Sequence, residues 1–318
     1  MRNSIKKPLF RIFDLFSAPF VFIFLPVLKI IRKYGVENFP LNRKSFLSVG
    51  VFPVCNHYYE PQLIYSEGFD AKKPRKLHVN FNLTGQLENL ARLQYVDELK
   101  DFPVNGKVLE YTFYVNNPSF GPGDCDMYYL MIRNLKPKRV IEIGSGYSTL
   151  VAIEAVKKNR AEGYTTEMTC IEPYEMDWLE KKNEIKVVRE SVEKMDMAVF
   201  KTLQEGDILF IDSSHIIRPE NDVLFEYLEL LPELNKGVVI HIHDIFSPRH
   251  YRSEWLQEEF RFWNEQYLLE AFLYYNDTFE IMYTLNHLKN DAFAESLKVL
   301  THLTPESEPA SFWMRKVK

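Results

Sequence analysis

Directly behind the apolar run GVVI, the stretch HIHDIFSPRHY (His241–Tyr251) gathers His241, His243, Asp244, Pro248 and Arg249. A second apolar run, DILFI, leads into Asp212 and, three residues on, His215. A third, VIEI, carries Glu142 and opens into Gly144 and Gly146, and CIEP ends an apolar stretch on Glu172. An acid at the end of a buried strand must be solvated, paired or bound to metal. Repetition of that placement on several strands marks one edge as chemical. An imidazole takes or gives a proton near neutral pH, so His215 and then His243 are the candidate general bases. His241 lies one pleat deeper in its strand and reads as a core histidine.

These groups need a frame. From residue 139 onward, short apolar segments (RVIEI, EMTCIEP, IKVVRE, DILFID, GVVIHIHD) alternate with helical patterns, and two further segments, FEIMYT and ASFWMRKV, close the chain. Such alternation predicts crossover units, a parallel sheet buried on both faces and an α/β, doubly wound fold. Ligands then bind beyond the carboxyl ends of the strands, where the acids stand. Upstream, Leu83, Leu87, Leu90, Leu93 and Val96 recur at helical spacing and predict one amphipathic helix. Asp124 follows the turn NNPSFGPG as a helix N-cap. Residues 253–275 read as a single long helix, on which Asn264, Glu265 and Tyr267 either face the pocket or anchor the helix.

The loop EIGSGYST has glycines for a tight turn, and Ser148 and Thr149 suit a helix N-cap. Thr149 stands where the dinucleotide fingerprint requires a third glycine, and no Gly-Lys-Ser/Thr phosphate loop is present. Glu142 would repel a pyrophosphate and suits a cation, while Glu172 can accept two ribose hydroxyls. Together these favour S-adenosylmethionine over a dinucleotide. RVIEIGSGYSTL, CIEP, DILFIDSSH and GVVIHIHDIF, in that order, resemble the class I S-adenosylmethionine-dependent methyltransferases, and in particular bacterial methyltransferase family 24. GVFPVCNHYYEPQL and RFWNEQYLLEAFL are similar to stretches of the same group, so the likeness covers about residues 50–318. The resemblance implies a Rossmann-like sheet of seven strands, the last antiparallel, behind a mainly helical N-terminal extension. It implies that Gly144 and Gly146 pass under the cofactor's amino-acid part with Glu142 near its amino group. Ser145, Tyr147, Ser148 and Asp212 join them in the cofactor loop, and Glu172 holds the ribose. It also implies Asp212 and Asp244 as ligands of Mg²⁺ or another divalent metal beside the acceptor hydroxyl. Here, however, His243 and Ile245 flank Asp244, and histidine suits Zn²⁺ or Fe²⁺ better than Mg²⁺.

The chain has 318 residues, 46% hydrophobic and 26% charged, with a net charge of −5. It lacks the basic blocks of a nucleic-acid binder. Three cysteines without metal-type spacing, Cys55, Cys125 and Cys170, fit a reducing cytoplasm. Leu15–Leu28 is uncharged, with Arg2, Lys6, Lys7 and Arg11 before it and Lys29, Arg32 and Lys33 after it. That run is short for a membrane span. It lacks a signal-peptide cleavage site. Residues 9–33 therefore read either as a helix lying in the inner face of a membrane or as one packed on the protein. Expected divisions are 1–34 for this segment, 35–115 for a substrate-side region and 116–318 for the cofactor-binding domain. Arg218, Arg249 and Arg252 could receive an anionic substrate. The expected reaction is O-methylation of a small molecule, glycan or lipid-linked sugar. The rival readings are a nicotinamide oxidoreductase and a non-catalytic membrane-associated cofactor-binding protein.

Overall fold

The computed structural model describes residues 2–106 and 111–318. It forms two compact units, Met1–Phe69 with Glu254–Phe262, and Asp70–Ser253 with Trp263–Lys318. The first unit holds helix α1 (Arg2–Tyr34), continuous through Pro8, Pro19 and Pro26, and helix α2 (Pro40–Val49). The expectation that the apolar segment is too short to span changes here. A single helix from Lys7 to Tyr34 is long and apolar enough to cross a membrane by length and composition. The helix runs on past the basic flanks that bound the uncharged run in the sequence.

The second unit starts its ordered helices with α3 (Leu83–Leu90), followed by α4 (Asp124–Leu135). Then β1 (Arg139–Ile143), α5 (Tyr147–Ala161), β2 (Glu167–Ile171), β3 (Lys186–Val188), α6 (Met197–Phe200) and β4 (Ile208–Ile211) alternate. A helical stretch of α7 (Asp222–Phe225), a π turn (Glu226–Leu230) and α8 (Leu231–Glu233) leads to β5 (Val239–Ile242). Helix α9 (Ser253–Gln257) belongs to the first unit from Glu254 on, and α10 (Glu265–Leu273), β6 (Phe279–Thr284), α11 (Leu285–Asp291), α12 (Phe293–Leu297) and β7 (Phe312–Lys316) complete the second. The sheet order is β3-β2-β1-β4-β5-β7-β6. β1 to β5 run parallel, and β7 inserts antiparallel between β5 and β6. This is the α/β, seven-stranded sheet that the sequence implies.

Alternate residues of each strand enter different cores, as strand geometry requires. Val140, Ile208, Phe210 and Val239 pack with α4 and α5, while Ile141, Ile143, Leu209, Ile211 and Ile240 pack on the other face. Glu142 and His241 follow the first set and so point into the α4 side of the sheet.

Three helix expectations change. The amphipathic run breaks after Leu90, and Tyr95 turns back at φ 69°. Its ring lies 3.9 Å from the buried Arg133 guanidinium, which pairs with Glu98 at 2.8 Å. The chain must turn to make both contacts. The long helix over 253–275 is two, because Asn264 N and Glu265 N both donate to the His215 carbonyl and fix the start of α10 there. Asp124 is not a cap. Gly123, at φ 92°, holds that position, and the Asp124 carboxylate accepts from Ala310 N and Ser311 N.

Candidate active site

The glycine loop is built between two strand ends. Gly144 N donates to the Ile171 carbonyl of β2, and Asp212 N donates to the Ile143 carbonyl of β1. Gly144 has φ 76°, and a Cβ there would stand 1.9 Å from the Asp212 carbonyl oxygen, so the backbone itself demands glycine. Gly146 differs. Its φ of −171° is extended, and a Cβ would meet only Met176 Cε at 3.5 Å. The fold leaves room for a side chain at Gly146, and its absence leaves the loop floor bare for a ligand.

The N-cap of α5 is Gly146, so Ser148 and Thr149 lie inside the first turn rather than capping it. Thr149 Oγ1 accepts from Gly146 N at 3.1 Å and donates to Glu142 Oε2 at 2.6 Å, and Tyr128 donates to Glu142 Oε1 at 3.1 Å. Glu142 is fully buried, and burial pushes its carboxyl up to about 7 against these donors. Glu172 accepts from Tyr174 N and Glu175 N at 2.9 Å each, and from Ser145 N at 3.3 Å. It thereby fastens the two loops that flank a cleft of about 590 Å³, lined among others by Gly144, Glu172, Tyr174, Asp212, Ser214 and Arg218. That volume suits a drug-sized ligand.

At the ends of β4 and β5 the carboxylates meet imidazoles. His215 Nε2 lies 3.2 Å from Asp212 Oδ1 and 3.5 Å from Asp244 Oδ2. Its Nδ1 lies 2.8 Å from Oε2 of the fully buried Glu265, whose Oε1 accepts from Tyr227 at 2.9 Å. His243 Nδ1 stands 3.4 Å from Asp212 and 3.7 Å from Asp244, its Nε2 3.5 Å from Asp124, and neither nitrogen makes a hydrogen bond. His215 and Asp244 both hold positive φ, at 61° and 58°. The loop after β4 is pinned by Ser213 Oγ on Glu226, Ser214 Oγ on Asp222, and Ile217 N on Asn264 Oδ1.

Burial works against charge throughout this cluster. The neighbouring imidazoles still hold Asp212 well below the usual carboxylate range. Burial lifts Asp244 above that range, with the histidines only partly offsetting it. Carboxylates on either side outweigh burial at His215 and His243 and hold both well above an ordinary histidine. His241 is the contrast. It is buried against Trp313 at 4.0 Å with Nε2 on Ser311 Oγ, and burial and the charge of His243 push its pKa well down.

The donor set fits a divalent cation. Asp212, His215 and Asp244 each offer a ligand atom, and the three atoms lie within 4.8 Å of one another. A metal-ligating histidine characteristically has its second nitrogen on a carboxylate, as His215 has on Glu265. Of the residues the sequence leaves open, Glu265 supports His215 and Asn264 pins the loop. Tyr267 lies away from the cluster, its hydroxyl 2.9 Å from His250 Nδ1. Arg218 lines the cleft, whereas Arg249 is buried, bonding the Lys72 carbonyl and Asp291. Asp124 and Tyr128 reach the site from α4, and no local pattern marks them.

Residues 141–245 match the family model of a methyltransferase domain. By this match the central segment is a methyltransferase domain. It runs from β1 through Asp244, so it contains the glycine loop and the ends of β4 and β5. A curated protein of Archaeoglobus fulgidus, described as an uncharacterized protein, is 31% identical over 137 residues, 42% of this chain and 61% of that one. The chain thus spans about three-fifths of the length of this relative. Solved structures similar to the chain include cmcI-D160 with Mg and SAM (14% identity, TM-score 0.36, 63% of this chain and 73% of that one). The O-methyltransferase TomG from Streptomyces achromogenes with SAM (10%, 0.37, 73% and 90%) and the Bacillus cereus O-methyltransferase with SAH (13%, 0.35, 73% and 91%) are others. At these values none of the three bears on the chemistry of the methyltransferase domain.

Proposed function

We propose that the chain is an S-adenosylmethionine-dependent O-methyltransferase acting on a hydroxyl of a small molecule, glycan or lipid-linked sugar. One observation carries it: Asp212, His215 and Asp244 converge beside a glycine loop whose Gly146 has no steric need to be glycine. S-Adenosylmethionine supplies an electrophilic methyl group when bound. Gly144, Ser145, Gly146, Tyr147 and Ser148 form the floor that receives its amino-acid part, and Glu172 offers the lone pairs left by its backbone donors to the ribose. Glu142, sealed beneath the loop, sets the loop's shape through Thr149 and Tyr128. Without a metal, His215, held at Nδ1 by Glu265, presents Nε2 as the base that takes the acceptor's hydroxyl proton once it has released its own; with a metal, the same nitrogen is a ligand instead. His243 fills the space behind Asp212 and Asp244. Asp212 and Asp244, with His215 between them, are the residues that would hold a divalent metal there, and a metal so placed acidifies a bound hydroxyl. The imidazole in this set favours Mn²⁺, Fe²⁺ or Zn²⁺ beside Mg²⁺.

Within this reading 116–318 is the catalytic domain and 35–115 the acceptor side, and the reaction belongs in the cytoplasm, where free Cys55, Cys125 and Cys170 stay reduced. Calorimetric titration with S-adenosylhomocysteine and with NADH tests the cofactor. The first should bind and the second should not, and the reverse result overturns the proposal. Metal analysis before and after EDTA, with calorimetric titration of Mg²⁺, Mn²⁺ and Zn²⁺ into the stripped protein, tests the cation. Absence of metal in the protein as purified, with failure of Mg²⁺, Mn²⁺ and Zn²⁺ all to bind, removes the metal from the reading and leaves His215 as the base.

A further inference from the structure

Helix α1 is apolar on every side. At about 100° per residue, Leu15, Phe16, Val21, Phe22, Phe24 and Leu25 point around the whole circumference, leaving no gap wider than about 100°. All six are 51–77% exposed. Its one buried residue among those described is Ile31, in the last turns, where Arg32 also pairs with Glu60 and lies 4.6 Å from the Phe52 ring. The protein grips the helix at its C-terminal end and leaves the rest bare.

What covers such a surface follows from its symmetry. A second helix, from another copy or another protein, buries one stripe and leaves the opposite phenylalanines in water. A helix lying in a membrane surface needs a polar stripe for the headgroups, and Leu15–Leu28 has none. Only a medium that surrounds the helix satisfies all faces at once. The ends carry the matching charges: the sequence puts Arg2, Lys6, Lys7 and Arg11 before the apolar segment and Lys29, Arg32 and Lys33 after it. From Arg11 to Lys29 the helix rises roughly 27 Å, near the roughly 30 Å hydrocarbon thickness; Asp14 lies one turn inside Arg11, close to that interface, and basic side chains at both ends can reach the interfaces. The interior polar group Ser17 donates its hydroxyl to the Asp14 carbonyl and so needs no water.

We propose that α1 crosses a lipid bilayer as a single-helix anchor, with anionic headgroups meeting the basic clusters at its two ends. The inference rests on the helix alone and stands or falls separately from the reading of the active site.

The test uses the full chain incorporated into vesicles of phosphatidylethanolamine and phosphatidylglycerol. After flotation, the protein should stay with the vesicles through high salt and through alkaline carbonate and leave only with detergent. Phe22→Arg should lower the vesicle-bound share by about a hundredfold, the scale of one cation at a helix centre, while Phe22→Leu should leave it unchanged. Near-ultraviolet circular dichroism and a cooperative melt check that Phe22→Arg has folded. Release of the unaltered protein by salt or carbonate would mean attachment at the surface and overturn the proposal. So would failure to float accompanied by self-association, or a mass showing the segment cleaved away.

Discussion

Two pairs of strand-end acids can be set side by side. At the ends of β1 and β2, Glu142 and Glu172 are already held by the protein's own donors: two hydroxyls and the Cys170 thiol for Glu142 and three backbone amides for Glu172. At the ends of β4 and β5, Asp212 and Asp244 face only imidazole nitrogens at 3.2–3.7 Å. The sequence writes all four alike, as an acid at or next to the end of an apolar run. The first pair shapes a loop, and the second keeps bonding capacity for something that arrives. A carboxylate held by the protein's own N–H and O–H groups is fixed by the architecture, whereas one facing imidazoles keeps most of its bonding capacity.

The sharpest break of this contrast is at Asp244. Asn adopts positive φ readily, so Asp244→Asn keeps the backbone and the shape while removing the charge. Turnover should fall on the order of 10²-fold or more, the scale of a positioned acid–base group, with a melting temperature close to the parent's. His215→Asn should behave similarly in turnover but lose stability as well, because Glu265 is then left buried without its imidazole. Steady-state kinetics beside thermal melts decide, and full activity in both variants would misplace the chemistry.

The glycine pair gives the next largest effect. Gly144→Ala should destabilise the fold by about 3 kcal/mol, since positive φ and the Asp212 carbonyl both oppose a Cβ. Gly146→Ala should melt like the parent yet bind S-adenosylhomocysteine roughly tenfold more weakly, about 1.4 kcal/mol. Equal affinity in Gly146→Ala and the parent would show that the ligand does not approach there.

The effect at Glu142 is confined to one pH window. Its carboxyl titrates near 7 in the folded protein against an ordinary 4.5, so between those values the folded state holds a proton that the unfolded state has released. Its contribution is therefore most favourable below about pH 4.5 and is lost as pH rises towards 7, by at most about 3 kcal/mol. Glu142→Gln, titrated by chemical denaturation across that window, should flatten the decline. An unchanged slope would place the proton elsewhere.

Much of this was legible before folding. The inner strands were readable because a strand buried on both faces must be continuously apolar, and RVIEI falls on β1 residue for residue; FEIMYT falls likewise on the partly exposed edge strand β6. The glycine loop, Asp212 and Asp244 were readable because a doubly wound sheet puts its binding edge at strand ends. The break of the 253–275 helix was not readable, because the His215 carbonyl that fixes Asn264 and Glu265 comes from fifty residues away. Nor was the role of Asp124, which a turn sequence offered as a cap and which the Ala310 and Ser311 amides claim instead.

The sequence by itself determined the sheet, its polarity, the edge that carries the chemistry and the apolar character of α1, because these depend on local periodicity and on which residues tolerate burial. Only the tertiary structure decided which acids the protein's own donors hold and which are left to imidazoles, that Glu265 stands behind His215, and that α1 is bare on every side. Those properties depend on which partner arrives from a distant part of the chain, and side-chain periodicity carries no information about that.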